Sequence, residues 1–167
     1  MRKILFRGQT RKYGERVRMG DGEKLPGNWV YGGVLQGIGA HSVIYGGKND
    51  DNFGEGFQKW CVYTDTLGQY TGLTDKDGRK AFEHDVIMHH FSYAVGVIKY
   101  GEYRNQWGDD SYTGHVGFYV DWVTGEEHKF LRKDLGYWLK TTQIVGNIHD
   151  NPELMEVRED GKRTAAD

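Results

Sequence analysis

Apolar residues along this chain come in short runs separated by glycine and polar turn residues, and the runs are rich in β-branched and aromatic side chains. That is the pattern of strands rather than helices. It predicts strands over residues 3–6, over Trp29–Tyr31 with Val34 and Leu35, over His41–Tyr45 and over Phe57–Tyr63. Further strands are predicted for Arg79–Phe82, Asp85–Met88, Val95–Tyr100, Gly117–Val123 and Ile144–Ile148. Helical spacing is rare. Leu135, Trp138 and Leu139 fall at i, i+3 and i+4, which predicts one short helix within Lys133–Lys140. Asn151-Pro152-Glu153 offers a capping side chain, a proline at the first helical position and an acid in the first turn, so a brief helical turn capped by Asn151 is predicted there.

The densest turn chemistry lies within Leu67–Ile87. Gly72 and the run Thr74-Asp75-Lys76-Asp77-Gly78 combine aspartates that hydrogen-bond their own backbone with glycines free to adopt positive φ, which predicts a hairpin tip. Gly32-Gly33 interrupts an apolar run and predicts a bulge or a close approach of two backbones. Gly8–Leu25 and Gly46–Gly56 read as loops. The polar and aromatic stretch Gly101–His115 reads as a long surface loop, the kind of segment on which binding residues concentrate. From Arg158 onward nothing is available to bury, and residues 158–167 read as a flexible tail.

Composition agrees with a β-dominated fold: 25 glycines against 2 prolines, with 14 % aromatics, suit short strands and glycine-bearing turns. With 37 % hydrophobic and 28 % charged residues, the chain reads as a soluble globular protein, and no segment is apolar for long enough to span a bilayer. The opening MRKILFRG is broken by Arg7 after three apolar residues, too short for the apolar region of a signal peptide. A net charge of −2 removes the simplest argument for nucleic-acid binding. The single cysteine, Cys61, has no disulfide partner in the chain, which points to a reducing, cytoplasmic compartment. Between Trp60 and Val62 it is expected to be buried.

Candidate chemistry is sparse. Asp75-Lys76-Asp77-Gly78 has the look of a calcium loop, but aligning Gly78 with that loop's glycine puts Leu73 and His84 where ligands are required. Gly37-Ile38-Gly39 lacks the third glycine of a dinucleotide-binding turn. His84, His89 and His90 supply imidazoles, yet strand alternation would put His84 and His90 on one face and His89 on the other, so no metal or cofactor is expected. Ser42, Ser92, Ser111 and Cys61 sit in no nucleophile motif, and the acidic pairs Asp109-Asp110 and Glu126-Glu127 read as solvated turn residues. The expectation is therefore a protein that is not an enzyme. Lys99, Tyr100, Tyr103, Arg104 and Trp107 form the best binding set, because cations interleaved with aromatics can follow phosphates and stack on bases or pack on a protein partner.

Three blocks carry a resemblance. Gly68-Gln69-Tyr70-Thr71-Gly72-Leu73 followed by Asp75-Lys76, Gly78 and Glu83-His84-Asp85-Val86-Ile87 resembles the signature of the YopX family, found largely in phages and prophages. Arg2–Gly8 with Trp29–Gly32 resembles the family's N-terminal part, and Ile144–Leu154, which includes Gly146, Asn147, Asn151, Pro152 and Glu153, resembles its C-terminal motif. At His84 the family usually carries glycine, so the motif gives no reason to expect positive φ at this turn. The resemblance implies a β-rich fold and a phage origin, without an established biochemical activity. Together these readings predict a mainly β protein, a small SH3-like barrel or β-sandwich with an N-terminal β excursion. The organisation expected is one domain over 1–157, with an N-terminal lobe of about 1–60 and a barrel-like part of about 61–157. The function expected is a non-catalytic accessory protein of a phage or prophage in the host cytoplasm, binding a protein partner or a second copy of itself. The alternative is a small nucleic-acid-binding barrel that uses residues 99–107.

Overall fold

The computed structural model describes residues 4–10, 29–35, 41–47, 58–107, 111–123 and 132–156. Its contacts divide the chain into two units, Met1–Gly72 and Leu73–Asp167. The fold is mainly β. Ten antiparallel strands carry the described residues, with one four-residue helix and two 3-10 turns.

In the first unit β1 (Phe6–Gln9), β2 (Trp29–Leu35), β3 (His41–Gly47), β4 (Gln58–Tyr63) and β5 (Gly68–Thr74) are ordered β4-β3-β2-β1-β5. Alternation along these strands turns Val30, Ile44 and Val62 inward, all fully buried, with Val34, Trp60 and Leu67 packed on them. Burying each such aliphatic side chain stabilises the fold by about 1.5–3 kcal/mol. The sheet curls until Thr10, just past β1, bridges Val62 of β4. No continuous ladder closes it into a barrel among the described residues. Thr66, in the turn Thr64–Thr66, ties this closure down: its Oγ accepts from the Gln9 backbone N–H (2.9 Å) and donates to the Tyr63 carbonyl (2.7 Å).

Several sequence readings change here. The first strand starts at Phe6 and runs through Gly8, because the Arg7 guanidinium stacks over Trp29 (4.7 Å) and Gly8 lies against Val62 and Ile44. Gly32 and Gly33 form no bulge: the β2–β3 register is continuous, and Gly32 is a close approach to Gly46. Cys61 is exposed. Since Val62 points into the core, alternation turns its neighbour outward, and a flanking-residue argument gave the wrong side.

In the second unit the sheet order is β10-β7-β8-β9, with β7 (Asp85–His89) and β8 (Val95–Gln106) central and β9 (Tyr112–Trp122) and β10 (Thr142–Asn147) outermost. The short strand β6 (Lys80–Phe82) follows β5 through the predicted turn, where the Asp75 N–H donates to the Arg79 carbonyl at 2.9 Å. The helix α1 (Leu135–Trp138) brings Leu135, Trp138 and Leu139 onto Ala81, Ile87, Ile98 and Val120, with Phe118, Trp122 and Ile144 around them. The 3-10 turn Pro152–Met155 is present, but Asn151 does not cap it. The Asn151 Oδ1 turns back instead to the Asn147 N–H at 3.4 Å.

The largest correction concerns Gly101–His115. Gly101–Gln106 and Tyr112–His115 are strand rather than loop: β8 and β9 pair without interruption from Gly96↔Trp122 to Gln106↔Tyr112. Gly101 and Gly117 face each other across this ribbon at φ 154° and 157°, a conformation that side-chain-bearing residues rarely adopt, so glycines here serve the strand rather than break it. The loops read over Gly8–Leu25 and Gly46–Gly56, the Gly37-Ile38-Gly39 segment and the tail 158–167 lie wholly or mostly outside the described residues.

Candidate binding surface

The ribbon of β8 and β9 sorts the predicted binding set onto two faces. Alternation places Lys99, Tyr103 and Asn105 on one side, opposite Tyr119, His115 and Thr113, and Tyr100, Glu102 and Arg104 on the other, opposite Phe118, Val116 and Gly114. Trp107 stands just past the end of β8, 63 % exposed, its indole N–H donating to the Thr113 hydroxyl at 2.6 Å. The five residues are therefore neighbours in sequence but do not form one surface.

The first face is anchored. Asp134 collects three donors: the Tyr103 hydroxyl at 2.8 Å, the Asn105 amide at 2.9 Å and the Arg132 guanidinium at 2.7 Å. Asn105 is buried and also accepts from the Lys133 backbone N–H at 2.7 Å, while Tyr119 bridges Asp134. Tyr103 stacks between His115 and Tyr119, each 5.2 Å away. Lys99 is held by Asp121 at 2.6 Å, and that hydrogen bond raises its pKa.

The network has a pH signature. Burial, then the hydrogen bond to Asp134, pushes the Tyr103 hydroxyl up to about 12 from the ordinary 10.0. Its folded pKa is raised, so its contribution to stability is complete below about pH 10 and lost as the pH climbs towards 12. Burial alone would raise Asp134, but the hydrogen bonds from Arg132, Tyr103 and Asn105 outweigh it and leave the carboxyl below the ordinary 3.8, so its contribution is lost only as acid takes the pH beneath that value. Tyrosinate absorbance should show a late component near pH 12 that Tyr103→Phe removes. The same component surviving in Tyr103→Phe would contradict this assignment.

The second face is open. Tyr100, Tyr112 and Val116 are 58 %, 60 % and 69 % exposed. The Tyr100 ring meets Phe118 edge to face at 5.1 Å, and Arg104 lies over the Tyr112 ring at 4.5 Å. An open groove of about 700 Å³ at this end of the ribbon is lined from both faces, by Glu102, Arg104, Tyr112 and Val116 of the open one and by Tyr103 and His115 of the anchored one, with Lys133. Tyr112, Val116 and Phe118 were missed from sequence, although their even spacing, four and two residues apart along one strand, was the available signal.

The family-motif residues have structural work. Gly68 and Gln69 pair with Arg7 and Phe6, Tyr70 donates its N–H to the Leu5 carbonyl at 2.8 Å, Thr71 is buried and Gly72 has φ 86°. Leu73, exposed, follows on β5. Asp85 is buried and accepts from the Phe82 N–H at 2.8 Å. Asn147 builds the C-terminal turn: its Oδ1 accepts from the His149 and Asp150 N–H groups at 3.0 and 2.9 Å, and its amide donates to Asp150 at 2.8 Å. Gly146 leaves the space that Asn151 and Leu154 occupy, Pro152 opens the following turn, and Glu153 accepts from Asn151 at 3.2 Å.

The histidines divide differently from the expected alternation, since His84 and His90 lie in the turns flanking β7 rather than in the strand. His84 has φ 69°, so the turn does adopt positive φ without a glycine. Its N–H donates to the Ile98 carbonyl at 2.9 Å and its carbonyl accepts from the Ile148 N–H at 3.0 Å, which fixes that backbone from both sides. Its ring meets His149, not His89 or His90. His89 is held below the usual imidazole range by burial, then by His90, and its Nδ1 lies 3.0 Å from the Ser92 hydroxyl. The Ser92 N–H points at the same nitrogen at 3.4 Å, the arrangement of a turn contact three residues apart. Ser42 is buried, 3.0 Å from the Thr64 hydroxyl, and Ser111 is exposed. Asp109, Asp110, Glu126 and Glu127 lie outside the described residues.

No curated protein is significantly similar to this chain. The profile described as YopX protein matches residues 26–156, which takes in both the Gly68–Ile87 and the Ile144–Leu154 blocks and leaves out Arg2–Gly8. Covering most of the chain in the order read from the motifs, that match shows that this protein belongs to the YopX family.

Proposed function

We propose that this protein is a non-catalytic binding protein, one of the accessory proteins that phages and prophages place in the cytoplasm of the bacterial host. It engages another polypeptide through the open face of the β8–β9 ribbon. One observation carries the reading: the ribbon is fastened on one face by Asp134 and its donors, while the other presents Tyr100, Tyr112 and Val116 to solvent beside Arg104. Aromatic and arginine side chains on a rigid support are the composition of interface cores, and rigidity lowers the entropy lost on binding. The polypeptide is a second copy or a different protein. The nucleic-acid reading draws support from Arg104 and the same aromatics, but Lys99 is occupied by Asp121 and Glu102 shares the open face, which weakens the field a phosphate backbone needs.

Light scattering separates these readings. Self-association predicts a wild-type dimer that becomes monomeric in Val116→Lys, whereas a wild-type monomer assigns the face to a different protein. Salt-dependent binding of DNA or RNA, lost in Arg104→Ala, would overturn the polypeptide reading.

A further inference from the structure

The two turns that the family motifs build bring two imidazoles together far from the ribbon's open face in sequence. The Nδ1 of His84 and the Nε2 of His149 face each other at 3.3 Å, with ring centroids 5.2 Å apart at an interplanar angle of 76°. As a hydrogen bond this contact shares one proton between two nitrogens, and a metal ion can take that proton's place when the donor ring carries its proton on its other nitrogen instead, leaving both facing lone pairs to the ion. Two imidazole nitrogens bound to one tetrahedral zinc-type ion at about 2.0–2.1 Å stand roughly 3.3–3.4 Å apart, which is the separation found here. Binding one ion requires each ring to turn about its Cβ–Cγ bond, where the torsional well is broad, so that the two lone pairs meet at a common point.

The backbones behind these rings are already locked to one another. The Ile148 N–H, adjacent to His149, donates to the His84 carbonyl at 3.0 Å, and Asn147 Oδ1 accepts from the His149 N–H at 3.0 Å. His84 is meanwhile kept at φ 69°, a conformation costly for a residue with a side chain. Hydrogen bonds on both sides hold that backbone in place and so fix where the His84 side chain leaves it.

We propose that His84 and His149 form a two-histidine site for one divalent cation of the zinc or cobalt type, with water completing its shell. Among the described residues no third histidine, cysteine, aspartate or glutamate joins the pair, so the site is open and binds more weakly than a closed structural centre. It is independent of the ribbon face, and either reading stands if the other fails.

Titration of the full chain with Co²⁺, followed by its visible absorption and by displacement with Zn²⁺, tests this. One saturable equivalent is expected. His149→Gln and His84→Gly should each weaken it by at least about tenfold. His84→Gly also relieves the left-handed backbone, so a protein that melts no lower than wild type yet loses the ion cannot owe that loss to misfolding. Replacing His89 and His90 together by glutamine should leave binding intact. No saturable binding by wild type, or binding that survives His84→Gly and His149→Gln or vanishes with the His89 and His90 changes, overturns the proposal.

Discussion

Gly46→Ala is expected to cost more than about 3 kcal/mol and to lower the melting temperature by roughly 6–12 °C, while Gly33→Ala, beside the partner glycine, is nearly silent. The difference lies in what each new methyl group would meet. Gly46 pairs directly with Gly32 in the β2–β3 ladder. A Cβ on Gly46 would fall on the Tyr31 carbonyl oxygen, and one on Gly32 would fall on the Tyr45 carbonyl oxygen. Both obstacles are backbone, so no side chain can rotate away and the two strands have to part. Parting them disturbs the register from Tyr31↔Gly47 to Leu35↔Val43 and, with it, the buried cluster of Val30, Ile44 and Val62. A Cβ on Gly33 meets nothing within 4 Å. Against a typical total of about 5–15 kcal/mol the loss at Gly46 is large. Thermal melts of the two variants decide it: equal melting temperatures would show that the ladder is looser than described.

Asp75→Ala is expected to cost about 3–5 kcal/mol. The Asp75 carboxylate is buried and accepts from three backbone N–H groups: Asp77 at 3.0 Å, Arg79 at 2.8 Å and Ile144 at 2.9 Å. The first two shape the turn, and the third joins that turn to β10, 69 residues later. Removing the carboxylate leaves all three donors in partly buried positions, and an unsatisfied donor costs more than a typical bond contributes. Asp75→Asn retains one acceptor oxygen for the turn but presents an amide to the Ile144 N–H, so it should cost about half as much. Chemical denaturation of the three proteins gives the comparison. A loss below about 1 kcal/mol for Asp75→Ala would mean that the turn is held by something other than this carboxylate.

What the chain disclosed about itself follows the range of each interaction. The hairpin tip at Asp75–Gly78, the central pair of strands around Val86 and Val97 and the short helix at Leu135–Trp138 were legible, because period and turn chemistry are local. The ribbon was not. Residues 101–115 look like a loop since one face is solvated and the other meets Asp134, a carboxylate 31 residues beyond Tyr103. Glycine was read as a breaker, although Gly101 and Gly117 oppose each other within a continuous ladder. The contact of His84 with His149 spans 65 residues, and the positive φ at His84 is imposed by hydrogen bonds to Ile98 and Ile148 rather than by its own preference. Cys61 shows the converse: the period of two that located Val62 in the core also placed its neighbour outside, and composition of the flanking residues was the poorer guide.

Covalent capture tests the open face most directly. A photoreactive aromatic side chain placed at position 116, on the open face of β9, is compared in living bacteria with the same group at position 113, on the opposite face of the same strand. A discrete adduct from position 116, to a second copy or to another protein, with none from position 113, is the predicted result. No adduct from position 116, or the same adducts from both positions, would contradict the assignment of the ribbon's open face as the contact surface.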